Sequence, residues 1–247
     1  MADETKIGGD NYRFKETLWT TLLKAKDKSS TGYQEALNYL ITTYWKPVYF
    51  YIRQKECDIE TAKDLTQSFF TVFLEKEFIK SVERSKGKFR TFILAALNHF
   101  LSKERERIRA QKRGGNRMIF SLDFAQAETE VMQQPTRQMT PEKTLIQAWA
   151  HTILKIASEN LRQECKDSSR EVYLNVLEAY LASQQENQSV SYKDIAEQFH
   201  ISELDVTNYL HRIRRRYREL IEAEIRKYVA DENEVKEELL ELFSAFS

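Results

Sequence analysis

Between Gly87 and Arg113 the chain reads GKFRTFILAALNHFLSKERERIRAQKR, and this stretch changes character halfway. Phe89, Phe92, Ile93, Ala96, Leu97, Phe100 and Leu101 recur at three- and four-residue spacing, the period of an α-helix with one buried stripe. Beyond Leu101 the apolar residues thin out. Lys103, Arg105, Arg107, Arg109, Lys112 and Arg113 are set against only Glu104 and Glu106 before Gly114 and Gly115 stop the helix. One helix is therefore anchored in a core at its start and meets solvent or an anion at its end. Taken alone, the stretch fits a solvated face laced with ion pairs as well as it fits a surface docked on nucleic-acid phosphates.

The helical period recurs along the chain, and little interrupts it. Only six Gly and three Pro occur in 247 residues, with 31% charged against 41% hydrophobic, so an all-α fold is expected rather than disorder. The length allows two small domains, each with its own core. Lys plus Arg equals Asp plus Glu at 38 each, so overall charge names no partner and only local clusters can. Cys57 and Cys165 stand far apart with no CxxC or histidine pairing, which predicts no disulfide framework, no zinc site and a reduced, cytoplasmic setting. Neither a cofactor nor a metal is expected. The start MADETKIGGD has no apolar core of a signal peptide, and no window approaches the roughly 20 apolar residues of a membrane span.

In chain order, residues 1–13 read as a disordered lead-in, and a helix over Lys15 to Lys26 turns Leu18, Trp19, Leu22 and Leu23 inward. Tyr33 to Gln54 carries Leu37, Leu40, Ile41, Tyr44, Trp45, Val48, Tyr49 and Ile52 at helical spacing, with Pro47 expected to kink or end it. Asp58, Glu60 and Thr61 predict the start of a helix reaching about Lys76, with Leu65, Phe69, Val72 and Phe73 buried. Residues 116–140 are polar and contain Pro135, the expected flexible linker between a first domain over 14–115 and a second over 141–230. Thr140, Pro141 and Glu142 supply an N-cap, a first-turn proline and a first-turn acid. Leu145, Trp149, Ile153 and Ile156 form one apolar face, and Val172, Val176, Leu177, Tyr180 and Leu181 the next. Residues 231–247 read as an acidic amphipathic helix whose Val235, Leu239, Leu242 and Phe246 pack back on the second domain.

From Val190 the run VSYKDIAEQFHISELDVTNYLHRIRRRYREL has the spacing of a helix-turn-helix. Ile195, Ala196 and Phe199 face inward from its first helix, and Val206, Leu210 and Ile213 from its second. Ser202, with Asp205 three residues on, caps the second helix and leaves a positive tip suited to a phosphate or a groove. Thr207, Asn208, His211, Arg212, Arg215 and Arg216 point outward, a mixture of base-reading and phosphate-binding types. His200 stands where many such turns carry Gly, and histidine tolerates positive φ better than most residues.

With LITTYWKPVYFYIRQKECDIETAKDLTQSFFTVFLEKE and the Gly87 stretch, that run resembles a bacterial sigma-70-family factor of the extracytoplasmic-function type, over most of residues 14–221. The resemblance implies two helical domains that bind core RNA polymerase and recognise the minus-ten and minus-35 promoter elements, with catalysis left to the polymerase. It places Asn98 and Ser102 where the family holds an unstacked promoter base. Lys103 to Arg113 would meet the upstream edge of the melted region, and Thr207, Asn208, Tyr209 and Arg212 would read the minus-35 element. Where members commonly carry Lys and Arg this chain has Thr207 and Tyr209, which implies a different promoter preference. The polymerase-binding helix usually carries several acids, whereas here Asp64, Gln67 and Ser68 remain beside Lys63. Phosphorylation of Thr66, with Ser68 second, by a Ser/Thr protein kinase would restore the missing charge. An anti-sigma factor is a further partner the resemblance allows.

Two other readings stand beside this one. A helix-turn-helix repressor or activator that never joins the polymerase explains the C-terminal half but not the second basic helix, and a helical adaptor would use the acidic tail. An enzyme finds no support, because His99, His151, His200 and His211 are scattered and no phosphate loop or nucleophile motif occurs.

Overall fold

The computed structural model describes residues 31–55, 58–75, 89–110, 121–133, 139–185, 191–229 and 231–246. The helix expected over Lys15 to Lys26, the lead-in 1–13, Cys57, Lys112 and Arg113 lie outside them. The described residues form α-helices and no strand: α1 (Thr31–Gln54), α2 (Ile59–Glu75), α3 (Phe89–Ala110), α4 (Phe124–Gln133), α5 (Pro141–Asp167), α6 (Glu171–Gln185), α7 (Tyr192–Phe199), α8 (Glu203–Arg226) and α9 (Glu232–Ser244). Among them no helix is long and apolar enough to cross a membrane. Cys165 is a free, buried thiol.

The centre is α1. Its first half buries one stripe, but Val48, Tyr49, Phe50, Tyr51 and Ile52 are buried in succession, so its second half is covered all round. Pro47 has no N–H to bond the Thr43 carbonyl, yet the helix runs through it to Gln54 and does not end there. Packing on every side outweighs the roughly 3 kcal/mol that an interior proline costs. Helix α2 starts on Asp58, whose carboxylate accepts from Thr61 N at 2.9 Å and Thr61 Oγ1 at 2.6 Å, and it lays Phe69, Phe70 and Phe73 into the core. Phe69 packs edge-on against Phe100 of α3, with ring centroids 5.6 Å apart. At the start of α5, Thr140 is the N-cap, its hydroxyl accepting from Lys143 N at 3.3 Å, with Pro141 at the first helical position.

Two expectations about organisation are corrected. The segment 116–140 is not a free linker, because its residues 124–133 form α4 and pack on α1. Phe124 meets Trp45 and Tyr49 at centroid distances of 5.6 and 5.0 Å, Ala127 is 0% exposed, and Glu128 accepts from Arg53 at 2.7 Å and from the Tyr49 hydroxyl. A helix buried along so narrow a stripe looks polar in sequence. Nor does the core divide at residue 140. One large core joins Tyr44, Val48 and Leu97 to Trp149, Ile153, Ile221 and Leu242, while a small second core holds only Val176, Ile195, Ala196, Val206 and Leu210 among its fully buried residues. Helix α5 faces α1 with one side and α8 with another, and so belongs to both halves. Helix α9 does pack back on α5 and α8, and it also reaches α3 through Arg90.

Two measurements test this packing. Ala127→Leu should lower stability by about 1–3 kcal/mol in urea denaturation through overpacking, whereas in a loose linker it would be silent. Burial opposes the Glu128 carboxylate, but the bonds from Arg53 and Tyr49 prevail and hold its pKa below the ordinary value. Its contribution is therefore complete above the unfolded carboxylate pKa and is lost as pH falls through the lower folded value. Glu128→Gln should flatten the acid limb of the stability curve over that range.

Candidate nucleic-acid interface

Helices α7 and α8 each begin with a capping box. Ser191 caps α7, accepting from Lys193 N at 3.1 Å while the Asp194 carboxylate accepts from Ser191 N at 3.1 Å. His200 ends it in the left-handed region at φ 54°, ψ 43°, and the Ile201 N–H reaches back to the Ala196 carbonyl at 3.0 Å. Two residues after His200, Ser202 caps α8: its hydroxyl accepts from Asp205 N, and its own N–H donates to Asp205 Oδ2, each at 3.1 Å. The Ser202 hydroxyl also donates to Asp205 Oδ2 at 2.6 Å, and this bond first, with that from the Ser202 N–H second, holds the Asp205 carboxyl below the usual range. The tip is thus closed by its own side chains and carries Glu203 and Asp205 in its first turn. The expected phosphate-seeking tip is corrected accordingly, because those carboxylates already meet the dipole and would repel a phosphate.

The exposed face of α8 begins one turn on. Thr207, Asn208, His211, Arg212, Arg215 and Arg216 are all exposed, as the spacing predicts. Their freedom differs. The Thr207 hydroxyl donates to the Glu203 carbonyl at 3.1 Å, and Arg212 Nη1 lies 3.4 Å from the Tyr173 hydroxyl. Arg215 stands 3.5 Å from Glu219. Arg216 grips Glu164 of α5 through two bonds of 2.7 Å and reaches Glu219 at 2.9 Å, which pushes its pKa up. As an exposed pair that contact is worth at most about 1 kcal/mol, yet it makes Arg216 a packing cation. Tyr209 is also corrected: its ring stacks on Tyr173 of α6 at 4.0 Å and packs against the small core.

Arg170 escaped the sequence reading because it sits in the turn between α5 and α6, far from the arginine run. It lines one cleft with Tyr173, His211, Arg212 and Arg215. Ser169 just before it adopts φ 53°, and Arg170 N bonds the Cys165 carbonyl at 2.8 Å, so the turn is fixed by the end of α5.

On α3, Ser102, Lys103 and Arg105 are exposed. The backbone of α3 continues through Arg107 and Arg109. Asn98 is exposed but not idle, since Tyr51 Oη donates to its Oδ1 at 2.6 Å. Burial first, and Glu142 second, push that phenol up to about 12. On α2, Asp64 is exposed while Gln67 and Ser68 are half-buried. Thr66 is 0% exposed and its hydroxyl donates to the Ala62 carbonyl at 2.7 Å. The expectation that a kinase phosphorylates it is therefore corrected: α2 faces the core at this position, in line with Ala62, Phe69 and Phe73.

Buried charges were the larger omission. Arg90, Glu128, Glu224 and Glu238 are all buried, and Glu224 of α8 accepts from Tyr39 at 2.8 Å, Asn160 at 3.1 Å and Lys227 at 2.7 Å. Register could have found two of them. Arg90 shares a stripe with Ile93 and Leu97, and Glu238 shares one with Val235 and Leu242. Among the described residues no group of three or more His, Cys, Asp or Glu could hold a metal. Models of protein families, characterised proteins and solved structures give no match to this chain.

The cap and the turn can be tested by stability alone. His200→Gly should stabilise by about 0.5–1 kcal/mol, relieving a side chain held at positive φ. Ser202→Ala should cost about 1 kcal/mol in the same denaturation measurement.

Proposed function

We propose that this chain is a sigma-70-family factor of the extracytoplasmic-function type, which joins core RNA polymerase and directs it to promoters carrying two separated elements. The observation that carries the reading is the exposed face of α8, with Asn208, His211, Arg212 and Arg215 in line behind a short helix and a three-residue turn. A helix of about 10 Å diameter presenting an amide, an imidazole and guanidinium groups suits the major groove. A second exposed cationic face, Ser102, Lys103 and Arg105 on α3, gives the same chain another nucleic-acid contact, which a one-element repressor does not need. Asp64, Gln67 and Ser68 on α2 are assigned to the polymerase. Phosphorylation of Thr66 is not part of this reading, because the hydroxyl is buried.

Residue roles follow from what each side chain already touches. Asn208 reads bases and Arg212 holds backbone phosphate. Asn208→Ala should relax specificity at one base pair by about 1–3 kcal/mol, and Arg212→Ala should weaken all sequences alike and reduce the salt slope by about one. Arg216→Ala should change DNA binding far less, since Glu164 and Glu219 already hold that guanidinium. Run-off transcription with purified core polymerase tests the whole. Addition of the chain should yield promoter-specific transcripts that vanish when base pairs are inserted between the two elements. Operator binding with no effect on initiation would favour a repressor and remove the sigma reading.

A further inference from the structure

Beside the outward line of α8 lies a cleft of about 540 Å³, walled by the last turns of α5, the first turn of α6 and one flank of α8. Its floor is apolar and buried, made by Leu161, Cys165 and Ile213. Its rim carries four arginines against two acids, Glu164 and Glu219. Thr207 and Asn208 do not line it, so it is separate from the positions assigned above to reading bases.

The two acids are already engaged. Arg216 takes both oxygens of Glu164 and reaches Glu219 at 2.9 Å, and Arg215 stands 3.5 Å from Glu219. That leaves Arg170 and Arg212, neither of which has a carboxylate partner among the described residues. Arg212 donates to the Tyr173 hydroxyl at 3.4 Å, and the phenol, accepting that bond, keeps its own hydrogen for another acceptor. Stacking on Tyr209 at 4.0 Å fixes the Tyr173 ring. The Arg170 backbone is fixed by its bond to the Cys165 carbonyl at 2.8 Å. Its charge also reaches the floor: burial first and Glu164 second push the Cys165 thiol up in pKa, and Arg170 opposes them.

Two guanidiniums without counter-charge on one recess repel each other. A ligand with two or more negative charges removes that repulsion, and phosphoryl oxygens match the fork of an arginine. A lone phosphate would leave most of the cleft unfilled, whereas its volume lies within the roughly 300–1,000 Å³ of sites that take a ligand with an organic body. The apolar floor suits a planar base. A duplex along α8 can bring phosphates to the rim but no base to the floor, because its bases are paired and stacked.

We propose that this cleft binds a nucleoside diphosphate, with the phosphates between Arg170 and Arg212 and the base on Leu161, Cys165 and Ile213, and that its occupant withdraws Arg212 from DNA. The withdrawal rests on the function proposed above; the binding does not.

Fluorescence anisotropy of N-methylanthraniloyl-ADP with the full chain tests the site. Unlabelled ADP should displace the probe, inorganic pyrophosphate should do so more weakly, and adenosine not at all. Arg170→Ala should weaken binding on the order of tenfold, the size of a lost hydrogen bond to a charged group. Tyr173→Phe should weaken it several-fold, and because it deletes a single hydroxyl it decides the matter even where Arg170→Ala disturbs the turn. Arg162→Ala, on α5 but outside the cleft, should change nothing. No displacement by ADP, or equal losses in Arg170→Ala and Arg162→Ala, overturns the site. Anisotropy of a labelled duplex, selected by the chain from a randomised pool, separates the two sources of phosphate. ADP should weaken duplex binding by the unaltered chain and not by Arg170→Ala. Equal weakening of duplex and nucleotide in Arg170→Ala assigns the cleft to the DNA backbone and overturns the nucleotide site. Nucleotide binding by a chain that selects no duplex keeps the site and removes the nucleic-acid reading.

Discussion

A helix buried on every side has to be covered on every side, and the second half of α1 imposes that requirement on the rest of the chain. Most helices of a protein this size keep one face wet. Val48 to Ile52 leave α1 none, so α2, α4 and α5 surround it. The cover must be polar in places as well as apolar, because Tyr49, Tyr51, Arg53 and Gln54 bring hydrogen-bonding groups inward. Glu128 answers the first and third, Asn98 the second, and Thr144 and the Met139 carbonyl the fourth. The side-chain partners come from three helices, α4, α3 and α5. The arrangement around α1 is therefore set by where these few polar groups find acceptors, with the apolar contacts filling in between.

Local chemistry was legible in the sequence wherever a residue acts on its own neighbours. The caps at Asp58, Thr140 and Ser202 and the left-handed His200 depend on side chains one to three positions away, and the structure has each of them as the spacing predicts. What failed depends on distant partners. Pro47 ought to break α1 and does not, because helices remote in sequence hold it. The polar residues of α4 read as linker because its buried stripe is only as wide as Phe124 and Ala127. Thr66 read as surface because threonine is compatible with either face, and a hydroxyl bonded to the carbonyl four residues back is satisfied without solvent.

The same limit applied to the arginine run. From sequence Arg212, Arg215 and Arg216 are equivalent cations on one face. In the fold Arg216 faces Glu164 on α5 and Arg212 faces Tyr173 on α6, so neighbours that differ by one turn acquire different roles. Glu164 stands in the last turns of α5, and nothing in its local sequence marks it as the partner of a residue on α8.

Helix α8 itself crosses from one core to the other. Val206 and Leu210 are set in the small core, while Ile213, Leu220, Ile221 and Ile225 are set in the large one. Its 24 residues make an unbroken rod about 36 Å long at 1.5 Å per residue. Such a rod transmits torque. Tilting it by about 10° about its C-terminal end would sweep the other end through about 6 Å, given that length. Glu224, near the fulcrum, is bonded to Tyr39 of α1, so any strain applied at the far tip arrives as a lateral load on the central helix.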